Sequence, residues 1–278
     1  MTPLTPLGSP RSGVDSGNGG TRAGALVQDP EAGCAPAAVS TVETSIILPT
    51  RNEELGIGSL LEGLFEAAPP QASYEVVLVD DSDDSTVERA EAYALVGRPV
   101  VLAHRAPGSR TGGLSGAVVE GFRRSTGEVL VVMDADFQHP PQLAWQLAAA
   151  ARVGLADVVV ASRYGPGGSS GGLSGMGRVA ASELTRHAAR AVLPRVRRVR
   201  DPLSGFFALR REVLTGGIEP SGGFKILLDV LALGRWSTAV EVPFTLAPRR
   251  MGSSKAGVGE GIAYLRQLRR LARLGAGR

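Results

Sequence analysis

The chain has 278 residues, a net charge of +3, and a single cysteine, Cys34, among 37 glycines and 18 prolines. That length carries one sizeable α/β domain with extensions or two small domains, and a lone thiol excludes an internal disulfide and a thiolate metal cluster. No apolar run approaches the ~18–20 residues needed to cross a bilayer, and no basic-then-apolar leader opens the chain, so a cytoplasmic location is expected.

Residues 1–43 are rich in Gly, Ser, Pro, Thr and Ala without hydrophobic period and read as a disordered leader, with order expected from Thr44. Ser45–Pro49 is a short apolar strand. Glu53–Ala67 is a helix with Leu55, Leu60, Leu61, Leu64 and Phe65 on one face. Strand Glu75–Val79 runs into Asp80 and Asp81, and helix Ser85–Val96 and strand Pro99–Ala103 follow. The alternation continues with helix Gly112–Arg124, strand Glu128–Met133, helix Pro140–Arg152 and strand Asp157–Ala161. Apolar strands alternating with amphipathic helices predict a mostly parallel sheet covered on both faces, with strand carboxyl ends lining one cleft. Gly165–Gly177 is too long and Gly/Ser-rich for a simple connector and suggests a mobile functional segment. Beyond it come helix Val179–Leu193, strand Gly205–Leu209, helix Lys225–Leu233, strand Ala239–Pro243 and helix Gly259–Leu274. In the last helix, Ile262, Leu265, Leu268 and Leu271 or Ala272 fall on one face and Arg266, Arg269, Arg270 and Arg273 around the other. The division expected is a leader (1–43), a central domain (44–258) and a basic amphipathic helix (259–278).

The chemistry concentrates where Val129–Met133 ends in Asp134-Ala135-Asp136-Phe137-Gln138. In extended backbone, residues i and i+2 point to the same side, so Asp134, Asp136 and Gln138 converge at the edge where open α/β sheets bind ligands. Two hard carboxylates with room for water suit Mg²⁺ or Mn²⁺ carrying substrate phosphates as further ligands; a surface turn whose acids cap the next helix is the alternative. Pro49-Thr50-Arg51-Asn52-Glu53 ends the first strand without G-x-G-x-x-G, which argues against a dinucleotide-binding domain. The acids from Asp80 to Asp84 either accept hydrogen bonds from a ribose or base N–H or cap the following helix. Arg163, then Arg178 and Ser182 one helical turn apart, then Arg249 and Lys255 around a Gly/Ser turn, are suited to phosphate. The basic run Arg195–Arg200 and the basic tail fit nucleic acid, anionic lipid or phosphorylated substrates, or form a solvated face. They are not interleaved with the aromatic residues that stack bases, so nucleic acid is the weakest of these partners. His104, His139 and His187 lack ligand spacing and read as structural or solvent-facing.

Taken in order, these motifs resemble family 2 glycosyltransferases, most closely the polyprenyl-phosphate (dolichyl-phosphate) mannose synthases, from Ser45 to about Gly257. They are Leu48-Pro49-Thr50-Arg51-Asn52-Glu53, Val79-Asp80-Asp81-Ser82, Gly113-Leu114-Ser115-Gly116, Met133–Pro141, Ser162-Arg163-Tyr164, Arg178 with Ser182, Asp201–Phe206, Gly223-Phe224-Lys225, and Glu241-Val242-Pro243 leading to Arg249 and Lys255. The resemblance implies an α/β GT-A fold, a nucleotide-sugar donor (GDP-mannose foremost), a polyprenyl-phosphate acceptor and inversion at the sugar. It places Pro49, Arg51, Glu53, Asp80, Asp81 and Asp134 at the donor nucleotide, with Asp80 and Asp81 on base and ribose. Asp134, Asp136 and Gln138 hold the metal, and Arg163, Arg178, Ser182, Arg249 and Lys255 hold the phosphates. Asp229 is the candidate base if the acceptor is instead a neutral hydroxyl on a soluble or specialised metabolite. Departures from the family pattern are Arg51 in place of an aromatic residue, Pro248 in place of an acid, and no Trp before Arg178. The final helix either lies on the anionic inner face of the cell membrane as a peripheral contact or packs on the domain.

Overall fold

Seven strands form one sheet in the order β3-β2-β1-β4-β6-β5-β7. The structure is a computed structural model that describes residues 42–164, 167–169, 176–219, 222, 225–246 and 258–275. All but the last two residues of the expected leader therefore lie outside the described residues, and the first strand, β1 (Thr44–Thr50), starts one residue before the expected Ser45. The other strands are β2 (Tyr74–Asp80), β3 (Val100–His104), β4 (Val129–Val132), β5 (Val158–Ser162), β6 (Phe207–Arg210) and β7 (Ala239–Pro243). Only β6 runs antiparallel, against both β4 and β5. The helices are α1 (Ile57–Ala67), α2 (Thr86–Leu95), α3 (Gly113–Arg124), α4 (Pro141–Arg152), α5 (Met176–Val192), α6 (Ile226–Leu233) and α7 (Val258–Gly275).

The strands read as apolar runs because both faces of the sheet are covered. Alternate residues divide between two cores: Ile47, Val77, Leu130 and Phe207 pack with α3, α6 and α7, while Ile46, Leu48, Val131 and Phe206 pack with α1 and α4. Gly121 lets α3 close on β1, since a Cβ there would collide with the Ile47 side chain.

Two expected helical faces shift. Leu55 is 71% exposed, because the Glu53 carbonyl accepts the Gly56 and Ile57 N–H groups and keeps Leu55 in a turn ahead of α1. In α7, Leu268 and Leu271 are buried with Tyr264 and Gln267, whereas Ile262 and Leu265 stand outside at 48% and 54% exposure. The helix packs on the domain through α5 and α6, with Tyr264 Oη donating to the Thr185 carbonyl at 2.6 Å.

The basic run also resolves into specific bonds. Arg195 donates to the Gly234 and Trp236 carbonyls, Arg197 to those of Arg190 and Ala191, and Arg198 to that of Ser237. These guanidinium groups satisfy carbonyls left open at and beyond the ends of α5 and α6. Part of the Gly-rich segment is tied down as well: Ser169 bridges Thr245 in parallel, its N–H donating to the Phe244 carbonyl at 3.1 Å.

Candidate active site

The carboxyl ends of β1, β2 and β3 form the first half of the cleft edge. Asp80, the last residue of β2, has 0% exposure. Its Oδ1 accepts from Thr50 Oγ1 at 2.7 Å and Ser82 Oγ at 2.5 Å, and its Oδ2 bonds Ser82 N at 2.9 Å and His104 Nδ1 at 2.9 Å. In this arrangement Asp80 supports the rim from beneath. Asp81 is 6% exposed and takes Arg105 on both oxygens, at 2.8 and 2.6 Å. Arg105 also donates to the carbonyls of Thr111 and Gly113, which fixes the entry to α3. Arg110 bonds Asp83 and the Ser82 carbonyl, tying the loop after β3 to the loop after β2. The hydrogen bond that Arg110 donates to Asp83 lowers the pKa of the Asp83 carboxyl. Asp84 Oδ1 accepts the Thr86 N–H at 3.0 Å, so this acid serves the start of α2. Pro49 is buried in β1 opposite Val79, Arg51 is exposed, and the Glu53 N–H donates to Thr86 Oγ1 at 2.9 Å.

The second half is built on β4, β5 and β6. β4 ends at Val132, so Asp134–Gln138 is not extended backbone and the expected i, i+2 alternation does not govern it. Phe137 has φ +59° and turns the chain. Gln138 N donates to Asp136 Oδ1 at 3.2 Å, and Asp134 N donates to His139 Nδ1 at 3.1 Å. The carboxylates of Asp134 and Asp136 both act on buried His139, whose ring stacks on Phe206 at 4.6 Å. Burial pushes the His139 pKa down against the pull of those two acids. A neutral ring accepting at Nδ1 carries its proton on Nε2. Gly205 keeps room beside Asp134, since a Cβ there would lie 2.8 Å from Oδ2.

Arg163 follows β5. Its backbone N–H, Nε and Nη2 all donate to Asp201, at 3.1, 2.8 and 2.8 Å. Burial works against the Arg163 charge, but Asp201, and at longer range Asp134, hold its pKa up. Tyr164 Oη lies 3.1 Å from Ser182 Oγ, and the Arg186 guanidinium stacks 4.5 Å from the Tyr164 ring. Arg178 lies in the first turn of α5; its side chain, with Arg249 and Lys255, falls outside the described residues. Asp229 is fully buried on α6, where Oδ2 accepts Gln267 Nε2 of α7 at 2.5 Å.

Asp134, Asp136, Gln138 and Arg163 thus meet on one side of the edge, together with His139 and Asp201, while Asp80 and Asp81 belong to the other. Sequence reasoning missed Arg105, Arg110, Asp201 and Glu241 as partners of this edge. Arg105, a cation directly after β3, carried a local signal, whereas Asp201 and Glu241 carried none. For the metal, Asp134, Asp136 and the Gln138 amide oxygen are a hard-oxygen donor set with space left by Gly205. No group of three or more His, Cys, Asp or Glu side chains that could hold a metal occurs among the described residues.

The sheet order with its single reversed strand brings the acids after β2 and β4 and the arginine after β5 to one edge. The solved structures agree in fold: glucosyl-3-phosphoglycerate synthase from Mycobacterium tuberculosis, determined with Mn²⁺, UDP and glucosyl-3-phosphoglycerate, matches at a TM-score of 0.61 and 24% identity, over 84% of this chain and 80% of that one. Mannosyl-3-phosphoglycerate synthase from Rubrobacter xylanophilus matches at a TM-score of 0.61 and 22% identity, over 84% and 75%. The family model Glycosyl transferase family 2 matches residues 45–216. A dolichol-phosphate mannosyltransferase of Pyrococcus furiosus is 39% identical over 231 residues, 83% of this chain and 64% of that protein. One from Saccharomyces cerevisiae is 36% identical over 83% and 87%, and the polyprenol monophosphomannose synthase of Mycolicibacterium smegmatis 34% over 81% and 85%. The chain belongs to glycosyl transferase family 2.

Proposed function

We propose that the protein is an inverting, metal-dependent glycosyltransferase that moves mannose from GDP-mannose to a polyprenyl phosphate. The observation that carries this reading is the similarity to three polyprenyl-type mannosyltransferases across more than four-fifths of the chain, joined to an edge where Asp134, Asp136 and Arg163 all act on buried His139. A lipid monophosphate is an anionic nucleophile near neutral pH, so the protein's tasks are alignment, charge compensation and exclusion of water. Asp134 and Asp136, with Gln138, would hold Mg²⁺ or Mn²⁺, which when bound offsets charge on the departing nucleoside diphosphate. Arg163, Arg178, Ser182, Arg249 and Lys255 bind and orient phosphate oxygens. Asp81, the exposed Arg51 and the backbone around Pro49 and Glu53 receive the nucleoside, with Asp80 supporting them. The burial of Asp229 against Gln267 favours the phosphate acceptor over a neutral hydroxyl, which would need a carboxylate open to it.

Among the described residues no helix is long and apolar enough to cross a membrane. The outer side of α7 pairs exposed Ile262 and Leu265 with exposed Arg266, Arg269 and Arg273, a composition suited to the head-group level of an anionic bilayer. The decisive assay incubates the protein and Mg²⁺ or Mn²⁺ with labelled GDP-mannose, UDP-glucose or UDP-N-acetylglucosamine, with and without polyprenyl phosphate. Acceptor-dependent label from GDP-mannose in the organic phase is expected; none from any donor overturns the lipid-phosphate reading. The double variant Ile262→Glu/Leu265→Glu should lose flotation with anionic vesicles, and equal flotation removes the docking role.

A further inference from the structure

We infer that Asp201 and Glu241 are positioning residues that commit one edge of the Arg163 guanidinium to the protein and present its remaining nitrogen to substrate phosphate. This rests on the transferase reading above. The antiparallel direction of β6 makes it possible: the segment that enters β6 arrives at the same edge where β4 and β5 leave, so the loop carrying Asp201 lies beside Arg163. Asp201 has 0% side-chain exposure and Arg163 only 12%. Every hydrogen bond described for the Asp201 carboxylate comes from Arg163: the backbone N–H and Nε on Oδ2, and Nη2 on Oδ1. Nη1 makes none of these bonds. Such a two-point grip fixes the guanidinium plane, which a single contact does not.

Glu241 holds the holder. It lies on β7 opposite Val160 of β5. Its two oxygens accept the N–H groups of Arg200 and Asp201, at 3.0 and 2.9 Å, so the Asp201 backbone is pinned to the sheet. The pair also has a charge consequence. Asp201 cancels the Arg163 charge, so its contribution is alignment of the guanidinium rather than attraction of anions. Removing the negative charge while keeping the shape therefore affects turnover and ground-state binding differently. The second should be unchanged or tighter, because an uncompensated cation draws anions more strongly; the first should fall, because small misplacements of a phosphate-holding group are costly in rate.

The test uses the full chain. Asp201→Asn should lower kcat on the order of 10–100-fold while KM for the donor stays equal or falls. Glu241→Gln should lower kcat by several fold in the same sense. A role confined to folding would instead lower the melting temperature and the active fraction with an unaltered kcat per active site. Chemical rescue supplies a second readout: ethylguanidinium should restore part of the turnover of Arg163→Ala, and that rescue should vanish in Arg163→Ala/Asp201→Asn. Wild-type kcat in Asp201→Asn, or rescue indifferent to Asp201, overturns the inference. A further arm keeps it separable from the transferase reading: calorimetric binding of inorganic pyrophosphate. If the wild type transfers no sugar but Asp201→Asn keeps or tightens the pyrophosphate Kd while Arg163→Ala weakens it, the positioning role stands while the reading fails. Weaker pyrophosphate binding in Asp201→Asn overturns the positioning role whatever the activity.

Discussion

The two halves of the cleft edge are built on opposite principles. Around β1–β3, every acid that reaches the edge is met by a protein donor: Asp80 by Thr50, Ser82 and His104, Asp81 by Arg105, Asp83 by Arg110. Around β4–β6, one buried pair, Arg163–Asp201, anchors the structure, and the two acids beside it are arranged by a backbone turn with Gly205 leaving space. The first half is a rigid lip whose shape is set before any ligand arrives. In the second half Asp134 and Asp136 are only half-buried beside that pair. Burying a charge costs several kcal/mol unless a partner and hydrogen bonds offset it, which is why the buried acids of the first half each have their own donors.

Substitutions in each half should separate these principles. The largest effect is expected from Asp136→Asn, which can keep the Gln138 N–H bond but removes the carboxylate charge proposed to hold the metal. Turnover should fall by at least about 10³-fold with the melting temperature unchanged, and near-normal steady-state activity would end the metal-ligand role. Next is Gly205→Ala, whose Cβ would meet Asp134 Oδ2 at 2.8 Å. Because only a side-chain tip must give way, kcat should drop about 10²-fold while thermal stability barely moves; a large stability loss without a rate effect would show that Asp134 is structural. On the rigid lip the balance should reverse. Arg105→Ala leaves Asp81 buried without its bidentate partner and two carbonyls without donors, and should cost about 3 kcal/mol in denaturant unfolding. Nucleotide KM should rise with it and kcat should change least. The smallest effect lies at the opposite edge of the sheet, where Asp157 accepts the Ser237 and Thr238 N–H groups. Burial raises the Asp157 pKa but these bonds outweigh it, and the net shift is downward. A carboxylate depressed on folding stabilises fully above its unfolded value near about 3.9 and loses that contribution as pH falls through its folded value. Asp157→Ala should therefore cost about 1 kcal/mol at pH 7. Melts at successively lower pH should show that difference shrinking below about pH 4, with activity untouched throughout.

The sequence read the elements closely because strands buried on both faces and helices with one apolar stripe leave different periods. β7 begins and ends at the expected residues, and β1, β2 and α4 differ by a residue at one or both ends. The reading of α7 found the helix but not its contact face. Ile262, Leu265, Leu268 and Leu271 share a stripe on a helical projection, yet only Leu268 and Leu271 meet α5 and α6. The acids at Asp134 and Asp136 were legible as a site, although their approach depends on the αL turn at Phe137 rather than on strand alternation. Asp201 and Glu241 were not legible as partners of Arg163, because nothing local relates residues separated by 38 positions, as Arg163 and Asp201 are.

By itself, then, the sequence determined the alternation of strand and helix, the parallel sheet, and which residue types stand at strand ends, since hydrophobic period and local turn chemistry are properties of short segments. Only the tertiary structure decided which acids are held by protein donors and which arginine is held by which carboxylate. Those outcomes follow from strand order and from the reversal of β6, which bring distant segments to one edge, where burial sorts charges into partners and sites.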